Sequence, residues 1–230
     1  MKKWLKRIGL GLLALVLVVV GAFYIYTLDY SKGKPDAVAL YEQSVSQSSS
    51  IHAFLDDNAT VGIIFYPGGK VEDKAYSNLC LELSQQGYSV FLVKMPFNLA
   101  VFDVDAANRV KKLNPQITTW FIAGHSLGGA MAFSHFSANP DQYAGIILLA
   151  AYPLSTTNKP VLILNGENDT VLDSSKLDGF DHTVIPGGNH AQFGNYGLQS
   201  GDGTATITPQ AQRDFTVNAI KSFIEEILAS

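Results

Sequence analysis

The chain has 230 residues, enough for one ordinary domain with a sizeable core plus an appendage, and its mean hydropathy of +0.13 carries no collagen-like or disordered bias. Of 16 basic residues, Lys2, Lys3, Lys6 and Arg7 precede the first acid, Asp29; without them 12 bases face 20 acids, a net of −8 that argues against nucleic acid as a partner. The single cysteine, Cys80, excludes an intrachain disulfide and a multi-cysteine metal site, and within "YSNLCLEL" it reads as a small core residue.

Ile8 to Leu28 is an uncharged run of 21 residues. As a helix it is about 31 Å long, matching a hydrocarbon core of about 30 Å. Trp4 before it and Tyr24, Tyr26 and Tyr30 at its far end suit the two interfaces, and the basic cluster predicts a cytoplasmic N-terminus with the remaining chain outside. The rival is a cleaved signal peptide, with Val20 and Ala22 as small residues before the cut and a secreted product. The length of the run and its bulky continuation through Phe23–Tyr26 favour an uncleaved, single-pass anchor in the cell membrane over residues 1–28. Residues 29–50 read as a polar linker with a candidate first strand, and 51–230 as the catalytic domain.

From residue 60 onward short apolar runs alternate with helical patterns. Strands are predicted at 61–66, 88–93, 117–123, 145–151, 160–165 and 181–185, most of them continuously apolar, as in a parallel sheet covered on both faces. Helices are predicted at 73–87, 103–114 and 126–139, the last two stopped by Asn-Pro. A final amphipathic helix follows Thr208 as N-cap, with Pro209 at its first position. This rhythm specifies an α/β fold with a mostly parallel sheet and helices on both faces.

Gly124-His125-Ser126-Leu127-Gly128 lies between a predicted strand and a predicted helix. A serine on such a turn is either a helix cap or a nucleophile, and the flanking elements favour the nucleophile. "GHSLGG" in this setting resembles the α/β-hydrolase superfamily. The resemblance implies a triad in the chain order serine, acid, histidine. Asp169 in "GENDTVL", after the strand "PVLILN", takes the acid's place, with Glu167 and Asp173 as competitors. His190 in "GGNH", after the last strand and before the last helix, takes that of the base. His52, His125, His135 and His182 read as structural or surface residues. The oxyanion hole implied by the family uses the backbone N–H of Leu127 and one from the loop Tyr66–Tyr76, where Gly69 is chosen and Lys70 is the alternative.

Only eight residues, Tyr152–Lys159, separate two of the predicted strands where many relatives insert a lid. The chain therefore resembles a small lidless member, similar to the dienelactone-hydrolase-like group but with serine in place of that group's frequent cysteine. The glycine-rich stretch Gly187–Ile207 is long for an ordered loop, which predicts that Gln192, Phe193, Tyr196 and Gln199 wall the substrate cleft. Phe97, with Met95, Leu99 and Phe102, is the candidate opposite wall. Asn195 and Asp202 are too few to make a metal site, and the reading calls for no metal and no cofactor. The expected partners are a small ester or acyl substrate and, through the N-terminal helix, a membrane. The expected activity is carboxylic-ester hydrolysis through an acyl-enzyme. Acyl transfer, amide or peptide cleavage by the same residues, and a non-catalytic binding protein of this fold, are the alternatives.

Overall fold

The structure, a computed structural model, describes residues 2–229 and divides into two compact units with the boundary between Tyr30 and Ser31. The first contains one long helix, α1 (Lys2–Leu28). Its stretch from Lys3 to Leu28 is long and apolar enough to cross a membrane, a property that a signal sequence near the N-terminus shares.

The second unit is built on eight strands: β1 (Val45–Ser48), β2 (Ile51–Phe54), β3 (Val61–Tyr66), β4 (Ser89–Val93), β5 (Thr119–His125), β6 (Gly145–Leu149), β7 (Val161–Gly166) and β8 (Thr183–Ile185). They form a single sheet in the order β1-β2-β4-β3-β5-β6-β7-β8. β2 is antiparallel to both neighbours, and β4 through β8 run parallel. The predicted strands are all present, with ends shifted by up to two residues. Their continuous apolar character has the expected cause: β3, β4 and β6 are buried at every position.

Alternate residues feed two cores. Ile63, Phe65, Phe121 and Ile147 pack with Leu79, Cys80 and Leu83 of α3 (Ser77–Ser84) and with Val217, Ile220 and Ile224 of α6 (Pro209–Ala229). On the opposite face Ile64, Tyr66, Ile122 and Ile146 pack with Ala106, Ala107 and Val110 of α4 (Ala106–Leu113) and with Ala132, Phe133 and Phe136 of α5 (Leu127–Ala138). Burial pushes the Cys80 thiol far above its ordinary value, in line with its reading as core. Thr208 caps α6 as predicted, its hydroxyl accepting from Ala211 N–H (3.1 Å).

Residues 29–50 depart from the linker reading. They carry α2 (Pro35–Gln43), which starts on Pro35 and buries Ala37 and Tyr41, and then β1. The compact unit thus starts at Ser31, ahead of the predicted boundary at 51. His52, expected before the sheet, is in β2 and stacks on Tyr41 with ring centroids 3.9 Å apart. Sequence periodicity missed α2 because a nine-residue helix with two buried side chains gives almost no repeat to count.

From β3 the chain crosses to β4 on one side, and from β4 it crosses back past β3 to β5 on the other. A crevice opens at the carboxyl ends of the strands at such a switch point. The loop after β3 and the turn after β5 therefore meet, because Tyr66 and Gly124 are register partners.

Candidate active site

Ser126 lies between β5 and α5 with φ 52° and ψ −124°, a left-handed conformation that costs a non-glycine residue on the order of 1–3 kcal/mol. The surrounding glycines are required by close approach. A Cβ on Gly128 would sit 2.2 Å from Pro67 O and 2.3 Å from Tyr66 O. A Cβ on Gly124 would sit 2.6 Å from the backbone of Gly128 and Gly129. Both obstacles are main chain and cannot swing aside, so the turn is pressed against the loop after β3.

His190 and Asp169 come together from the ends of separate connections. His190 Nδ1 lies 2.9 Å from Asp169 Oδ2, with the two side chains 2 % and 1 % exposed. The other carboxylate oxygen, Oδ1, accepts from Val171 N–H (3.0 Å) and Leu172 N–H (2.9 Å), which locks its plane. The competitors are occupied elsewhere: Glu167 Oε2 accepts from Gly187 N–H (2.7 Å), and Asp173 caps the short turn at Ser175. His190 Nε2 is buried and has no hydrogen-bond partner, so the Ser126 hydroxyl is not bonded to it here. Such contacts are often loose without substrate and tighten around it.

The N–H groups of the loop after β3 differ in whether they are already used. Gly68 N–H donates to the Tyr76 hydroxyl (3.0 Å) and Lys70 N–H donates to Asn98 O (2.8 Å). Gly69 N–H has no acceptor among the described residues, and a Cβ on Gly69 would stand 2.8 Å from the Leu127 side chain. Leu127, the first residue of α5, has its N–H ahead of any intrahelical acceptor. Gly69 and Leu127 are therefore neighbours with uncommitted donors, whereas the Lys70 N–H is taken.

Four contributors to this geometry were not assigned to it from the sequence. Tyr76 Oη is 2.8 Å from His125 Nδ1, so one hydroxyl ties the loop after β3 to the residue preceding Ser126. Asp202 accepts from His190 N–H (3.2 Å), Ala191 N–H (2.8 Å) and Gly203 N–H (2.8 Å), holding the backbone that carries the imidazole. Gln212, fully buried in α6, brackets Asn189: its Oε1 accepts from Asn189 N–H (3.0 Å) and its Nε2 donates to Asn189 O (2.8 Å). Asn98, at φ 55°, supplies the carbonyl that engages Lys70. A tyrosine fifty residues upstream or a glutamine inside a helix gives no local signal of such a contact.

The expected substrate wall needs correction. Phe193 and Tyr196 are 3 % and 9 % exposed and belong to the core. Phe193 packs near the His125 ring (centroids 5.7 Å apart), and Tyr196 donates to Gln199 Oε1 (2.9 Å). Gln192 spends its Nε2 on Ile207 O (3.3 Å). The glycine-rich loop thus supports the histidine from behind, because Asp202 and the aromatic side chains turn inward. Phe97 is half-exposed, at φ 55°, and stands edge-on to Phe102.

His125 is fully buried. Burial first, and the neighbouring His190 second, hold it well below the usual imidazole value of 6.5. Between 6.5 and that lower value the unfolded chain binds the additional proton. Stability from this group is therefore complete above 6.5 and is lost as pH falls below it. The urea midpoint is expected to decline between about pH 7 and pH 5, and His125→Asn to show a shallower decline; equal slopes would remove His125 from the acid sensitivity.

Comparison with known proteins bears directly on this arrangement. The family model described as "Alpha/beta hydrolase family" matches residues 62–214, more than half of the chain. The chain belongs to the alpha/beta hydrolase family. The matched model is that of the family at large and does not select the dienelactone-hydrolase-like group. No curated protein matches the sequence. Among solved structures, a predicted CIB-like hydrolase from Thermoplasma acidophilum is similar at TM-score 0.59 and 16% identity, over 78% of this chain and 96% of that one. Est1E from Butyrivibrio proteoclasticus is similar at TM-score 0.57 and 15% identity, over 78% and 94%. A soluble variant of monoglyceride lipase from Saccharomyces cerevisiae is similar at TM-score 0.59 and 11% identity, over 80% and 94%. These likenesses share the hydrolase fold; in this alpha/beta hydrolase no helix or strand separates β6 from β7, the position at which a lid was expected to be missing.

Proposed function

We propose that this alpha/beta hydrolase is a serine esterase, held in the cell membrane by α1 with its catalytic unit outside the cytoplasm. The observation that carries the reading is the buried Asp169–His190 pair, its imidazole 4.6 Å from the ring of His125, which precedes a serine held at φ 52° on the strand-to-helix turn. In the reaction Ser126 Oγ attacks the ester carbonyl while His190 Nε2 takes the hydroxyl proton. Asp169 keeps the proton on Nδ1 and stabilises the imidazolium that forms. The oxyanion receives N–H donors from Leu127 and Gly69, each worth about 3–4 kcal/mol in the transition state. His190 then protonates the departing alcohol, and water releases the acyl group by the same steps in reverse order. The esterase and lipase likenesses support hydrolysis of an ester over other acyl chemistry. The basic residues in the first turns of α1 and its length support the anchor and its orientation.

A fluorophosphonate probe tests the reaction. The folded protein should label on Ser126, and a folded protein that resists the probe would remove the esterase reading. The anchor has a separate test: the protein purified from membranes should keep its N-terminus, whereas a product beginning near residue 23 would show cleavage.

A further inference from the structure

The segment Ser31–Lys34 is stitched to both loops that border Ser126. Ser31 N–H donates to Lys70 O (2.8 Å) and Glu72 N–H donates to Ser31 O (2.8 Å), which pairs Ser31 with Val71 as an isolated parallel bridge. Gly33 N–H donates to Glu72 Oε2 (3.0 Å), and Lys34 N–H donates to Asn195 O (2.8 Å). The first contacts fall on the residue after Gly69, and the last falls on the glycine-rich loop that follows His190. Only Asp29 and Tyr30 stand between Leu28, where α1 ends, and Ser31. Three extended peptide steps reach at most about 11 Å. The strap therefore begins within that distance of the end of α1 through covalent connectivity alone.

The side chains along the same rim suit a membrane surface. Phe97, Val101 and Phe102 are 50%, 45% and 51% exposed on the loop whose Asn98 carbonyl engages Lys70. Leu198 is 94% exposed on the glycine-rich loop, next to Gly197, which comes against the Lys34 side chain. Lys32 and Lys34 are exposed in the strap itself. Apolar side chains rimmed by lysines, on a body that is otherwise acidic, match the interfacial region of a membrane, where apolar tips enter the acyl boundary and ammonium groups meet phosphate.

We propose that this rim works against the bilayer and that the ester reaching Ser126 is an amphiphile drawn from the membrane, its acyl chain passing over Phe97 and Phe102. The proposal rests on the anchored-esterase reading above. It makes the strap a spacer: its shortness keeps the mouth of the site at the level where the substrate's ester group lies.

The full-length protein, reconstituted in vesicles of phosphatidylcholine and phosphatidylglycerol, tests this with two probes. Methylumbelliferyl oleate resides in the bilayer and methylumbelliferyl acetate in water. A flexible Gly/Ser insertion of about 15 residues between Asp29 and Tyr30 should lower oleate turnover by about tenfold, through lost effective concentration, and leave acetate turnover within about twofold. Leu198→Asp should likewise reduce oleate turnover alone. Equal turnover of both probes by parent, insertion and Leu198→Asp proteins would overturn the proposal while leaving the esterase intact. So would a parent that hydrolyses acetate and spares oleate in the vesicle. A parent inactive on both probes would instead overturn the esterase reading, and the present proposal with it.

Discussion

Ser126→Ala is expected to lower ester turnover by about a millionfold and to abolish fluorophosphonate labelling, with the fold retained. The size follows from the division of labour: without Oγ no acyl-enzyme forms, and His190 and Asp169 have no proton to move. What remains is the rate supplied by the donors at Leu127 and Gly69, typically about 10³–10⁴-fold over water. Alanine keeps the Cβ at φ 52°, so the strain of the turn persists and thermal stability should stay within about 1 kcal/mol. Ser126→Gly should be equally inactive and more stable by about 1 kcal/mol, because glycine takes the left-handed conformation without penalty. Turnover by Ser126→Ala within tenfold of the parent would exclude Ser126 as nucleophile. Steady-state kinetics with melting curves on the three proteins decide it.

Asp169→Asn is expected to cost about 10⁴-fold in turnover with little change in KM or stability. The two oxygens of Asp169 have separate duties. Oδ1 accepts from Val171 and Leu172, and Oδ2 faces His190 Nδ1. An asparagine can keep its carbonyl on the two backbone donors, which leaves its NH₂ pointing at Nδ1. The imidazole must then accept at Nδ1 and carry its proton on Nε2, where it can no longer take one from Ser126. Geometry is kept and chemistry is lost. Glu167→Gln and Asp173→Asn, whose carboxylates serve other backbone groups, should leave turnover within about twofold. A loss confined to Glu167→Gln would reassign the acid.

The elbow was legible because its demands are local: a strand, a serine that must accept positive φ, and glycines where a Cβ would strike Pro67 and Tyr66. Asp169 and His190 were legible through their order and their places after strands. Their meeting at 2.9 Å is a tertiary fact, as is the engagement of Glu167 and Asp173, from the same stretch of sequence, with other backbone groups. That the Lys70 N–H is taken was equally beyond sequence, since its acceptor is Asn98, a residue from another loop. Phe193 and Tyr196 show the opposite failure. An aromatic residue in a glycine-rich loop looks the same in sequence whether it faces a cleft or the core, and here both face the core.

By itself, then, the sequence determined the alternation of strands and helices, the apolar N-terminal segment and the serine turn. Each depends on residues within one helix or strand of one another, where periodicity and steric demand act locally. The tertiary structure decided the partners: which carboxylate holds His190, which N–H groups of the loop after β3 are already engaged, and that the strap after α1 is bonded to that loop and to the glycine-rich loop after His190. Those outcomes depend on which hydrogen-bonding groups are satisfied first when distant loops are brought to one edge of the sheet. No short window of sequence contains both partners of such a bond.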